Sequence, residues 1–88
     1  MAKRRSKIVI YLDILTALLE GPKLPTRVAQ TCNLSYDNLV KFAAILEAMK
    51  LLERKPEEGH ELLSITADGF KLQEEFRKNL LKLGVGLL

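Results

Sequence analysis

The sequence predicts a mainly helical α+β domain, with three helices, a β-hairpin and a final helix in that order. Three observations point there. Apolar residues recur at helical spacing in four segments. The period changes once, between Leu51 and Ile65. Gly, Pro, Asn or Ser punctuates most of the boundaries. Eighty-eight residues make one small domain. A chain of that size hides only about 60–65% of its unfolded surface, so a second chain could add burial.

Ser6 suits the N-cap of a first helix over residues 7–19, which Gly21 and Pro22 stop. Ile8, Leu12, Leu15 and Leu19 form one stripe on it. Ile10, Ile14, Ala17 and Leu18 widen the apolar surface beyond the single face of a monomer's surface helix. Residues 23–25 form an extended connector. A second helix then begins with Pro25 as its first residue or Thr26 as its cap, carries Val28, Ala29 and Cys32 inward, and ends at Asn33. Ser35 caps a third helix over residues 36–49, whose Leu39, Ala43, Leu46 and Met49 share a face and whose Asp37 complements the helix dipole. Strands over 51–55 and 61–65 pair across the turn residues Pro56, Glu57, Glu58 and Gly59. Thr66 caps the last helix, residues 67–83, and Gly84 ends it before the apolar tail 85–88. Leu72, Phe76, Leu80 and Leu83 form its stripe, with Phe70 and Leu81 displaced.

Composition narrows the function classes. Apolar residues are 48% of the chain and charged residues 28%, which excludes a wholly disordered protein. The longest uncharged apolar run, Ile8 to Leu12, is too short to cross a bilayer, and Asp13 interrupts it where a secretory leader would continue. The single Cys32 precludes an internal disulfide and fits a reducing, cytoplasmic setting. One Cys and one His argue against a protein-only zinc cage. Neither a Ser-His-Asp set nor a phosphate-binding glycine loop is present, and the lone His60 lies in the hairpin, far in sequence from Cys32. The expectation is a protein that is not an enzyme and takes no cofactor, membrane or small-molecule ligand.

The net charge of +3 matters less than its location. Lys3, Arg4, Arg5 and Lys7 stand in a basic arm, residues 1–7, without an acid among them; the remaining body has ten basic against eleven acidic side chains. Such an arm reads as a polyanion ligand, nucleic acid first, or as a solvated terminus. The segment from Thr26 to Ser35 has helix-turn-helix grammar. Ala29 is small where the third helix crosses, Asn33 occupies the tight turn, Leu34 plugs the core and Ser35 restarts the chain as a helix. The hairpin and the Ile65-Thr66-Ala67-Asp68-Gly69 start of the last helix extend this to a winged version.

These motifs, with Lys3-Arg4-Arg5-Ser6-Lys7, Ile10 to Leu15, Asn33-Leu34-Ser35-Tyr36 and Leu46 to Leu52, resemble the small winged-helix DNA-binding proteins of archaea. That group includes transcriptional regulators and a ten-kilodalton chromatin-type protein that dimerises through C-terminal helices. Two departures stand out: Lys50 occupies the position where glycine commonly ends the recognition helix, and the last helix is short for a long coiled coil. The resemblance implies a winged-helix domain over residues 8–84, a nucleoid-associated homodimer on double-stranded DNA, and a third helix in the major groove. Its candidate DNA contacts are Tyr36, Asn38 and Lys41 on that helix, Arg27 on the second, Arg54 and Lys55 in the wing, and the arm's Lys3, Arg4, Arg5 and Lys7. Ile10, Ile14, Leu72, Phe76, Leu80 and Leu83 are the candidate dimer contacts. The alternative is a winged-helix protein-interaction module, favoured by the nearly neutral third helix with its Val40 and Ile45, and by Glu57 and Glu58 at the wing tip.

Overall fold

The structure, a computed structural model, describes residues 5–82. It contains α1 (Lys7–Ala17), α2 (Pro25–Thr31), α3 (Tyr36–Ala48), β1 (Leu52–Glu57), β2 (His60–Ile65) and α4 (Ala67–Lys82). The predicted order of elements is the observed one, and the fold is the winged helix-turn-helix: α2 and α3 form the helix-turn-helix and the antiparallel β1–β2 hairpin is the wing.

Each helix begins for a local reason. Ser6 and Ser35 accept the Val9 and Asn38 N–H groups at 3.2 Å each. Pro25 takes the first position of α2 behind Leu24, which offers no side-chain cap, and this resolves the start left open in the sequence. The ends depend on the left-handed backbone. Asn33 has φ 57° while Leu34 N–H reaches Ala29 O at 2.8 Å and Asn33 N–H reaches Gln30 O at 3.2 Å. Lys50 has φ 64°, with Leu51 N–H on Leu46 O at 3.0 Å and its own N–H on Glu47 O at 2.9 Å. Both exits are Schellman motifs built without glycine. They close α2 at Thr31 and α3 at Ala48, one or two residues earlier than the sequence suggests. The first helix also stops early, at Ala17, because Leu18 and Leu19 turn back to Leu15 O and Thr16 O in a tighter i to i+3 pattern.

The wing is longer than expected. Glu58 and Gly59 both have positive φ, 49° and 81°, the geometry of a two-residue type I′ turn. That leaves Pro56 and Glu57 in β1, paired with Glu61 and His60; Pro56 is tolerated there because β1 is an edge. On its other side β2 meets the connector, where Lys23 and Leu63 exchange backbone hydrogen bonds of 3.0 and 2.8 Å.

Ile14, Leu15 and Leu18 of the first helical segment, Val28, Leu39, Leu46, Leu52 and Leu63 are the large side chains fully enclosed in the core. Tyr11 closes one side edge-on to Phe42, with ring centroids 5.6 Å apart. The fourth helix is held at its start. Thr66 Oγ1 accepts the Gly69 N–H at 3.0 Å and donates to the Lys50 carbonyl at 2.8 Å. A Cβ on Gly69 would overlap the Leu51 carbonyl oxygen, so this approach requires glycine. Further along, buried Gln73 donates to Thr16 Oγ1 at 3.3 Å. The inward stripe of α4 is thus Gly69, Gln73 and Phe76, whereas Leu72 is 41% exposed.

Two stability outcomes follow from this packing. Leu46→Ala removes a fully enclosed side chain and should cost about 2–5 kcal/mol in urea unfolding. Lys50→Gly should raise stability by up to ~1 kcal/mol, since glycine adopts φ 64° without the Cβ penalty. A loss of stability in the glycine variant would contradict the exit geometry.

Candidate nucleic-acid interface

Leu39, Ala43 and Leu46 recur at i, i+4 and i+7 and turn one side of α3 into the core. The opposite side carries Asp37, Val40, Lys41, Ala44 and Ala48, all exposed. Tyr36, Asn38 and Ile45 flank it, with Tyr36 52% and Ile45 38% exposed. Ser35 fixes the first turn, so Tyr36, Asn38 and Lys41 leave a rigid helix start. Lys41 makes no ion pair among the described residues.

The remaining candidates divide. Lys3 and Arg4 lie outside the described residues. Lys7, Arg27 and Lys55 are exposed and carry no ion pair among the described residues. Two arginines are engaged internally. Arg5 donates to Asp13 Oδ2 at 2.7 Å and to the Asn33 carbonyl at 3.4 Å, which ties the base of the arm to the α2–α3 turn. Arg54 donates from Nε to Glu47 Oε1 at 2.8 Å and from Nη1 to Glu61 Oε1 at 3.4 Å. The Glu47 hydrogen bond pushes its pKa up, against a smaller opposing effect of burial. Arg54 is thus a brace between α3 and the wing, paired with two carboxylates. The pairing was hidden because Glu47 and Glu61 are each seven residues from Arg54 on different elements.

A groove of about 560 Å³ lies over Arg5, Asp13, Lys23, Glu20 and Cys32. Its charges cancel in pairs, since Lys23 also meets Glu20 at 3.0 Å. Burial pushes the Cys32 thiol up, Asp13 adds to this, and Arg5 partly offsets it, so Cys32 is a neutral core side chain. Among the described residues no three His, Cys, Asp or Glu side chains are grouped to hold a metal ion. No described helix is long and apolar enough to cross a membrane.

The candidate dimer residues also divide. Ile14 is fully enclosed in its own core, 0% exposed, and is therefore corrected from interface to core. Ile10 and Phe76 are half-buried and Leu72 is exposed. The Leu80 side chain and Leu83 lie outside the described residues. Ile8, Val9 and Phe70 are exposed large hydrophobics outside the candidate dimer contacts; Ile8 belongs to the stripe of the first helix and Phe70 stands beside that of the last, while Val9 had not been singled out.

A profile of the winged helix-turn-helix family matches residues 4–82, and the chain belongs to that family. No curated protein sequence matches it. Among solved structures, the transcriptional regulator BldR of Sulfolobus solfataricus superposes with a TM-score of 0.74 at 20% identity, over 91% of this chain and 62% of that one. MepR, a transcription regulator of the Staphylococcus aureus multidrug efflux pump MepA, gives 0.78 at 18% identity, over 85% and 58%. Transcriptional regulator Tm0710 of Thermotoga maritima gives 0.71 at 26% identity, over 83% and 56%. The chain spans roughly three fifths of the length of these proteins.

The state of Cys32 has a measurable consequence. Its native thiol holds a proton more tightly than the unfolded chain's does, so its contribution is complete below the unfolded thiol pKa, about 8.5, and is lost as pH rises through the higher native value. Between pH 7 and 10 the wild type should lose more unfolding free energy than Cys32→Ala. Equal losses in the two proteins would contradict a buried neutral thiol.

Proposed function

We propose that the chain is a DNA-binding regulator or chromatin-type protein that grips duplex DNA as a two-fold homodimer, without a chemical step, in the cytoplasm at the nucleoid. Residues 1–7 act as the basic arm and residues 8–84 as the winged-helix domain with its dimerisation helix. The observation that carries this reading is the uncovered outer face of α3 in a helix-turn-helix whose inner face is wholly committed to the core. Membership of the winged helix-turn-helix family supports it.

Affinity on this reading is mainly electrostatic. Lys3, Arg4 and Lys7 supply the arm's charge, and Arg27, Lys41 and Lys55 supply the body's, with Tyr36 and Asn38 as polar contacts. Arg5 and Arg54 contribute less because carboxylates already neutralise them. The dimer is supported by the exposed Ile8 and Val9 on α1 and by Phe70 and Leu72 on α4, two helices that touch at Thr16 and Gln73.

Duplex titration across a range of salt concentrations tests the DNA reading. Log affinity should fall linearly with log salt, and replacing Lys3, Arg4 and Lys7 together by Ala should flatten the slope by up to about 3 per protomer. Replacing Arg54 should flatten it less than replacing Lys55. Light scattering should report twice the chain mass, and Leu72→Glu, at an exposed site, should shift the particle toward monomer. A full chain with no salt-dependent affinity for any duplex would contradict DNA binding. The exposed Val40 and Ile45, with acidic Glu57 and Glu58 at the wing tip, would then support the interaction-module reading.

A further inference from the structure

The outer face of α3 is unusual in what it offers a base pair. With its flanks included, its hydrogen-bonding side chains are Tyr36, Asp37, Asn38 and Lys41; its apolar ones are Val40, Ala44, Ile45 and Ala48. Arg and Gln are absent from the whole helix. Ser35 Oγ is occupied by the Asn38 N–H at 3.2 Å, and Glu47 is occupied by Arg54 at 2.8 Å.

The major groove presents different chemistry at each base pair. Guanine shows two acceptors, N7 and O6, which a bidentate Arg or a Lys meets best. Adenine shows an acceptor and a donor, N7 and the N6 amine, the pattern a side-chain amide complements. Thymine adds a C5 methyl, which only an apolar side chain contacts well. Lys41 is the single group on this face suited to guanine, and the phosphates compete for it. Asp37 can accept from the amine of either adenine or cytosine and does not discriminate. The Tyr36 hydroxyl can donate or accept and does not discriminate among acceptors; what remains is an amide at the helix start, where a recognition helix meets base edges. Val40, two residues on, stands across the outer face from that amide, and Ala44 lies one turn beyond Val40 at i+4 on the same side of the helix.

We infer that α3 selects A·T base pairs in the major groove: the Asn38 amide donates to adenine N7 and accepts from the N6 amine, while Val40 and Ala44 pack against thymine methyls. This rests on the DNA-binding reading and adds the base pairs that it favours.

The test uses the full wild-type chain at one salt concentration against duplexes of equal length, so that the phosphate term is common to all. One duplex is A·T-rich, a second is G·C-rich, a third carries uracil for thymine, and a fourth carries 7-deazaadenine for adenine. The A·T duplex should bind at least tenfold tighter than the G·C duplex. Each contacted methyl removed by uracil should weaken binding by about 4-fold, the equivalent of one buried methyl group. Deazaadenine should weaken the wild type by about 5-fold or more and leave Asn38→Ala unaffected.

Equal affinity for the A·T and G·C duplexes would overturn the inference while leaving salt-dependent DNA binding intact. So would an A·T preference insensitive to both analogues, since that would place the reading in the minor groove. Absence of binding to all four would overturn the DNA reading and this inference with it. The base analogues alter only the DNA, so the outcome does not depend on how a variant folds.

Discussion

The junction between α3, the wing and α4 is closed by one hydroxyl. Thr66 Oγ1 accepts from Gly69 N–H and donates to the Lys50 carbonyl, while Thr66 N–H reaches Leu51 O at 3.2 Å. Lys50 is thereby held left-handed, α4 is started, and the chain leaving α3 is locked against the chain entering α4. Gly69 permits the approach, because any side chain there would meet the Leu51 carbonyl. Around this junction Leu46, Leu51 and Leu52 reach the core, and Arg54 braces α3 to the wing through Glu47. The outer face of α3 is rigid because its inner face and its exit are fixed together.

Charge and shape are divided in this protein. The folded body has almost no net charge of its own, and two of its best-placed arginines, Arg5 and Arg54, are spent on internal ion pairs. Among the described residues, positive charge without an internal ion pair is concentrated in a few exposed lysines, while the helix that faces outward is nearly neutral. On the DNA-binding reading proposed above, such a division would separate affinity, which long-range charge supplies, from selectivity, which a small set of short contacts supplies. The Arg5 contacts to Asp13 and Asn33 join the two parts, since they anchor the base of the arm beside the turn that launches α3.

Much of this was legible in the sequence because it is local. Ser6, Ser35 and Thr66 announce helix starts by their own hydroxyls, Asn33 marks the tight turn, and the change of period marks the wing. Lys50, noted as a departure from glycine, proved to be left-handed as a glycine would be. What the sequence hid depends on contacts between distant residues. Periodicity showed that the first helix is apolar around much of its circumference, but could not say that Ile14 faces its own core while Ile8 and Val9 face out. On α4 the leucine-rich stripe drew the eye, yet the helix turns Gly69, Gln73 and Phe76 inward because the Gly69 approach and the Gln73–Thr16 bond fix its rotation. Neutralisation of Arg5 and Arg54 likewise follows from which elements pack together.

The most direct measurement of whether the junction governs the fold is the unfolding free energy of Gly69→Ala by urea titration. The added methyl meets the Leu51 backbone and, at 2.9 Å, Ile65 Cγ1. Backbone cannot yield as a flexible side chain can, so the variant should lose roughly 3 kcal/mol or fail to fold. A variant within about 0.5 kcal/mol of wild type, the range of an ordinary surface substitution, would show that α4 can shift away freely and that the junction does not hold α3 in place.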